Sequence, residues 1–183
     1  MAANARAAEV EAIGRLLADY NNLEVGLLHC VQMGIGDFDR AFKAMFRARG
    51  EARRINVAET LAHAAYTALG LGADFQVGLA AIRHALRIRN QYAHWTWWDD
   101  NSGQLAIANL EDLANEPQPV NDFANLRAYH VSAALLDEQK AFFAYVDRCL
   151  MWVNYEGQFL SKKIRTRGFP KPAVVAEPAL FLP

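Results

Sequence analysis

The feature that most constrains this chain is one unbroken apolar stripe running from Asn4 to Met33. Val10, Ile13, Leu16, Leu17, Tyr20, Leu23, Leu27, Leu28 and Val31 recur there at the spacing of a helix with one buried face. A helix of that length cannot cover its own stripe, so further elements must lie against it, and helices are the natural partners. The following segments supply them. Gly34 and Gly36 are the expected stop, and Asp37 can cap a short second helix, DFDRAFKAMFRAR, that ends near Gly50. A third helix is expected from about Glu51 to Leu69, with Ile55, Leu61, Ala65 and Leu69 inward, and Gly70 and Gly72 break it. A fourth runs from Ala73 to about Ala93.

The pattern then changes. HWTWW and QLAIANL are short aromatic and aliphatic runs on either side of DDNSG, which reads as a β-hairpin. NEPQPVN is a linker whose prolines forbid a helix. A long last helix follows, starting at about Leu126 or Ser132 and ending near Lys163, with Leu135, Gln139, Phe142, Val146, Leu150 and Val153 on one stripe. The tail, GFPKPAVVAEPALFLP, is proline-rich and should be extended, either packed on a surface or loose. The expected fold is therefore all-α in the main: an antiparallel bundle of about five helices with a small β-hairpin inserted before the last long helix. Residues 1–167 form a single helical domain, with the hairpin at about 94–110, and residues 168–183 form the tail.

Composition narrows the function. A formal net charge of −1 excludes holding nucleic acid by bulk charge, so any such contact needs a local patch. Cys30 and Cys149 lie far apart with no CxxC partner, which argues against a zinc site and a disulfide framework. The N-terminal segment carries too many charges for a signal peptide's apolar region, and no stretch is apolar enough to span a bilayer. The expectation is a cytoplasmic protein with no membrane contact, no cofactor and no metal.

One cation stands out. On a wheel of about 100° per residue, Val77, Leu79, Ala81, Ile82, Ala85, Leu86, Ile88, Tyr92 and Ala93 cover one arc of the fourth helix, and Gln76, Arg83, His84, Arg87, Asn90 and Gln91 the other. Arg89 alone among the helix's arginines falls inside the apolar arc. A buried charge needs a partner. Glu24, the one charge in the middle of the first helix's apolar arc, is the expected partner, and a Glu24–Arg89 pair would either fix helix register or aim Arg89 at a cleft. His94 lies five residues beyond Arg89, roughly 140° away on a straight helix. The two can share one site only if the imidazole swings round at the helix end or reaches across a dimer interface.

Arg89-Asn90-Gln91-Tyr92-Ala93-His94 resembles the Arg-x4–6-His signature of the HEPN superfamily, in which a polar residue commonly follows the arginine. The helical layout over about residues 4 to 163 is similar as well, while the tryptophan-rich hairpin lies outside the family's minimal bundle. The resemblance implies a metal-independent endoribonuclease, a homodimer in which the motifs of two subunits meet at an interface cleft. His94 would then be the general base or acid, Arg89 would stabilise charge on the phosphorane, and Asn90 would orient the motif or the phosphate. It equally implies that some relatives bind nucleotides, RNA or proteins without cutting, and that some pair with an antitoxin. The chemistry is consistent with those roles. RNA carries its own 2′-hydroxyl nucleophile, imidazoles as a class suit proton transfer near neutrality, and a guanidinium offers a fixed charged fork to phosphate oxygens.

Other candidates carry less. His29, His63, His84 and His130 are scattered, and although His63 and His84 fall in neighbouring helices within reach of each other, no HExxH or carboxylate set accompanies them. Trp95 and Trp97 should share one strand face, with Trp98 on the other, and an exposed tryptophan near His94 could stack on an unpaired base. Basic clusters occur at Arg47 to Arg54 and Lys162 to Arg167, and Arg83 and Arg87 could form a phosphate-binding strip beside Asn90. GIGD and GLG lack the lysine and preceding strand of a phosphate loop, and no GxSxG nucleophile motif is present.

Overall fold

A computed structural model describes residues 6–117 and 127–182. The fold is mainly α. Its elements, in order, are α1 (Ala7–Ile35), α2 (Phe38–Arg47), α3 (Glu51–Ala68), α4 (Gly72–His94), β1 (Thr96–Asp99), β2 (Leu105–Ala108), α5 (Leu110–Ala114), β3 (Tyr129–Val131) and α6 (Ala133–Leu160). The bundle helices and the hairpin match the sequence reading. The short α5 and the third strand β3 were not anticipated. Most of the NEPQPVN linker, the first residues of the expected first helix and the alternative start at Leu126 lie outside the described residues.

Local chemistry sets the helix ends. Gly34 does not stop α1, contrary to expectation. It stays helical because a Cβ there would lie 3.0 Å from the Ala62 Cβ, so glycine serves a close approach to α3. The stop is Gly36, in the left-handed region at φ 73°, whose N–H bonds to the Gln32 carbonyl at 2.8 Å. Asp37 caps α2 as expected, accepting from the Arg40 N–H at 3.0 Å. α3 ends in a Schellman arrangement: Leu71 N–H reaches the Tyr66 carbonyl at 2.8 Å and Gly70 N–H the Thr67 carbonyl at 3.0 Å. α6 ends in the same way, with Lys163 N–H on the Gln158 carbonyl at 2.8 Å, and Lys162 takes the left-handed position at φ 60°.

The chain falls into two compact units. One contains residues 19–86 and 142–177. Its core holds Tyr20, Leu23, Leu27, Val31, Met45, Phe75, Leu79, Ile82, Phe142, Val146, Leu150 and Val153. The inner face of α3 is Ile55, Ala58, Ala62 and Tyr66, not the expected Leu61, Ala65 and Leu69. Tyr66 explains that rotation, because its ring stacks on Phe75 at 4.5 Å and its hydroxyl donates to the Cys30 carbonyl at 3.2 Å. Two glycines face Leu150 from opposite sides: a Cβ at Gly26 of α1 or at Gly78 of α4 would lie 3.5 Å from its methyls. Small residues there let the two helices share one leucine. Burial pushes the Cys30 thiol up to about 12, so it packs as an apolar group.

The other unit contains residues up to 18, 87–141 and 178 onward. Its sheet is antiparallel in the order β1-β2-β3, with Trp97 opposite Ile107 and Ala106 opposite His130. β2 is central and wholly buried, which fits its LAIA sequence. The tail closes onto this sheet, where His130 and Leu182 exchange backbone hydrogen bonds of 3.0 and 2.8 Å. Gln139 on α6, buried as its stripe predicted, donates to the Ala179 and Leu180 carbonyls and accepts from the Tyr92 hydroxyl at 2.6 Å. This end of the tail is therefore packed, because its carbonyls satisfy amides that would otherwise be buried without partners.

Candidate functional site

The Arg89–His94 motif occupies the last turn and a half of α4. The helix continues through His94, and the Trp95 N–H still bonds to the Gln91 carbonyl at 3.0 Å. His94 therefore does not swing round. It stands about 7.5 Å along the axis and roughly 140° around it from Arg89. Its side chain is exposed at the helix terminus, while Arg89 and Asn90 are half-buried and Arg87 is exposed. The Arg89 Nη1 donates to the Asn90 Oδ1 at 3.1 Å. Neighbouring side chains on a helix diverge, so this bond turns the guanidinium toward the Asn90 amide.

The expected Glu24–Arg89 pair does not form. Glu24 is buried in the apolar face of α1, as its wheel position required, but its two oxygens accept from Arg54 Nη1 at 3.0 and 2.9 Å. The Arg54 guanidinium also lies 5.2 Å from the centre of the Phe46 ring. The basic run from Arg47 to Arg54 thus supplies a structural cation. Arg83, a candidate for phosphate, is engaged by Glu59 and by the Asn56 carbonyl oxygen of its side chain at 3.2 Å. Hydrogen bonds from Gln76 and then Arg83 hold the Glu59 carboxyl below its usual range. Arg83 would have to leave that pair to meet a phosphate.

Two side chains assigned to the polar arc of α4 are buried instead. His84 faces Glu177 at 2.9 Å and meets the Phe142 ring edge-on, so its neighbour is the tail and not His63. Gln91 donates to the Leu180 carbonyl at 2.7 Å. Conversely, Val77, assigned to the apolar arc, is 49% exposed, and Ala93 is exposed as well. The tail explains the two buried polar residues, since their polar ends meet tail groups in place of water.

Trp95 and Trp97 do not share one environment. Trp97 meets Tyr92 edge-on at 6.4 Å, whereas Trp95, one residue before β1, lies 6.0 Å from Tyr129 and 5.5 Å from Phe181. These last three rings line a cleft of about 240 Å³ together with Asn109, Asp112, Leu113, Glu116 and Arg127. The Arg127 guanidinium lies 5.6 Å from the centre of the Tyr129 ring. Sequence reasoning offered an exposed tryptophan near His94 for stacking but missed Tyr129, Phe181 and Arg127. No local pattern joins them, since the grouping depends on β3 and on the tail's bridge to it.

Nearby, the His130 Nε2 lies 2.8 Å from Asp100 Oδ2. The Ser102 hydroxyl, then His130 and the Ser102 N–H, hold the Asp100 carboxyl down at about 2 against partial burial. Among the described residues, no group of three or more histidine, cysteine, aspartate or glutamate side chains is placed to hold a metal ion, and no helix is long and apolar enough to cross a membrane.

Comparison with known protein families, with curated proteins and with solved structures gives no match.

Proposed function

We propose that this chain is a metal-independent endoribonuclease of the HEPN type, acting in the cytoplasm as a homodimer. The observation that carries the reading is the Arg89–Asn90 hydrogen bond on the same terminal turns of α4 that present an exposed His94. In this reading an imidazole takes the proton of a ribose 2′-hydroxyl as its oxygen attacks the adjacent phosphorus. Arg89, held by Asn90, neutralises the negative charge that builds on the phosphorane oxygens. The same imidazole, now protonated, passes that proton to the departing 5′-oxygen, giving a 2′,3′-cyclic phosphate and a 5′-hydroxyl end. Loss of one such electrostatic contact costs on the order of 10²–10³ in rate.

The angular separation of Arg89 and His94 makes the dimer necessary. One straight helix cannot turn both side chains onto one phosphate, but two copies can bring Arg89 of one to His94 of the other. Arg87, exposed on the same helix, would add a phosphate contact. The test is cleavage of single-stranded RNA by the purified chain in excess chelator. Wild type should cut, and Arg89→Ala and His94→Ala should each lose activity. A His94→Ala variant that cuts as fast as its parent would overturn the proposal.

A second reading is a non-catalytic HEPN-like module that binds a nucleotide or a protein such as an antitoxin. The aromatic cleft of Trp95, Tyr129 and Phe181 favours its nucleotide form. Saturable nucleotide binding with no cleavage by any preparation would select it.

A further inference from the structure

We infer that the cleft lined by Trp95, Tyr129 and Phe181 is a binding site for a guanine base. Its size is the first constraint. Pockets for drug-sized ligands run from about 300 to 1,000 Å³, so a cleft of about 240 Å³ suits a single fused ring system and not an extended ligand. Its walls are the second. The three rings are half-buried, so each keeps accessible surface, and Arg127 extends the stack at the Tyr129 side. Flat rings and a guanidinium plane are the surfaces on which unpaired bases stack.

The rim selects among bases. Asn109 is largely committed, because its Nδ2 donates to Asp112 Oδ2 at 2.8 Å and its Oδ1 accepts from the Glu111 N–H at 3.1 Å. What remains is the second oxygen of Asp112 and the exposed carboxylate of Glu116, both of them acceptors. Guanine alone presents two adjacent donors, N1–H and the 2-amino group, to one carboxylate. Adenine and cytosine present a single amino group next to an acceptor, and uracil a single imino N–H. The same carboxylates repel phosphate, so the sugar-phosphate would lie outside the cleft, on the side of the exposed Arg127. Trp95 directly follows His94, so the cleft begins one residue from the candidate motif. In that last respect the inference rests on the ribonuclease reading and names its base preference.

The experiment titrates GMP, AMP, CMP and UMP into the full chain by calorimetry, then repeats the titration with single-stranded oligoguanylate and oligoadenylate. GMP should bind at least about tenfold more tightly than the others, as a bidentate base contact gives. Glu116→Gln should remove the preference, because Glu116 is the lining carboxylate with both oxygens available for a bidentate contact. Phe181→Ala should weaken GMP by about 5- to 150-fold, the effect of losing one stacking ring. Glu116 is exposed, so its variant keeps the test valid if Phe181→Ala fails to fold. A GMP response equal to AMP, or an unchanged preference in Glu116→Gln, overturns the inference. Free GMP binding without oligonucleotide binding identifies a free nucleotide as the ligand. RNA cleavage with no guanine preference sinks the inference and leaves the nuclease reading standing. Guanine binding without cleavage does the reverse.

Discussion

Replacing Arg54 by alanine should destabilise the protein by about 3 kcal/mol. Glu24 sits on the apolar face of α1 with 7% of its side chain exposed, and both of its oxygens accept from Arg54. Removing one member of a buried pair strands the other, at about 3–5 kcal/mol. The low end applies because the Arg54 side chain is 24% exposed, which lets water reach the orphaned carboxylate. Loss of the guanidinium from the Phe46 ring adds about 0.5 kcal/mol. For a chain of this size each kcal/mol is worth about 2–4 °C, so Tm should fall by roughly 6–12 °C. Urea denaturation with an unchanged m-value supplies the free energy. The double variant Glu24→Met/Arg54→Met should recover most of the loss, since no buried charge then remains. An Arg54→Ala variant within about 0.5 kcal/mol of wild type would refute the pairing. So would an Arg89→Ala variant that alone shows the large loss, because that is the signature of the Glu24–Arg89 pair.

Two glycines on α1 should respond to alanine with opposite signs. Gly34→Ala gains about 1 kcal/mol of helix propensity but forces a Cβ to within 3.0 Å of Ala62, and overpacking at about 1–3 kcal/mol should leave it less stable. Gly14→Ala, with nothing within 4 Å, should be more stable by about 0.5–1 kcal/mol in the same denaturation assay. The Asp100 carboxyl, held at about 2 against an ordinary 3.8, adds stability that is present above pH 3.8 and is lost as pH falls through about 2. Acid unfolding followed by circular dichroism should therefore begin at higher pH in Asp100→Asn, and an identical acid limb would contradict this.

The helices were legible because their stripes are long and repeat at one period, and Asp37 and Gly70 announced their ends. Other boundaries used residues that carry no signal. α6 stops because Lys162 adopts a left-handed conformation that is ordinarily left to glycine, and Gly34 reads as a stop although it is a point of close packing. Burial on a wheel was readable where a polar residue falls within a helix's own apolar stripe, as at Glu24 and Gln139. It failed for His84 and Gln91, because what buries them is the irregular tail, whose position no periodicity encodes. The partner of Glu24 was misassigned for a related reason. Arg54 sits in a run of four arginines spread over Arg47 to Arg54, and composition cannot say which one turns inward. In the candidate site, Arg89, Asn90 and His94 were visible as a local motif, whereas the cleft of Trp95, Tyr129 and Phe181 joins three segments that are distant in the chain.

The most direct test of the central claim is complementation between two inactive chains. Arg89→Ala and His94→Ala are purified separately, mixed in equal amounts, unfolded and refolded together, and assayed for RNA cleavage in chelator. If Arg89 of one copy serves His94 of the other, half of the dimers are mixed and each contains one intact site, so activity should return to about a quarter of the wild-type value. A mixture as inactive as its two components, beside an active wild type, would contradict a site shared between copies of α4.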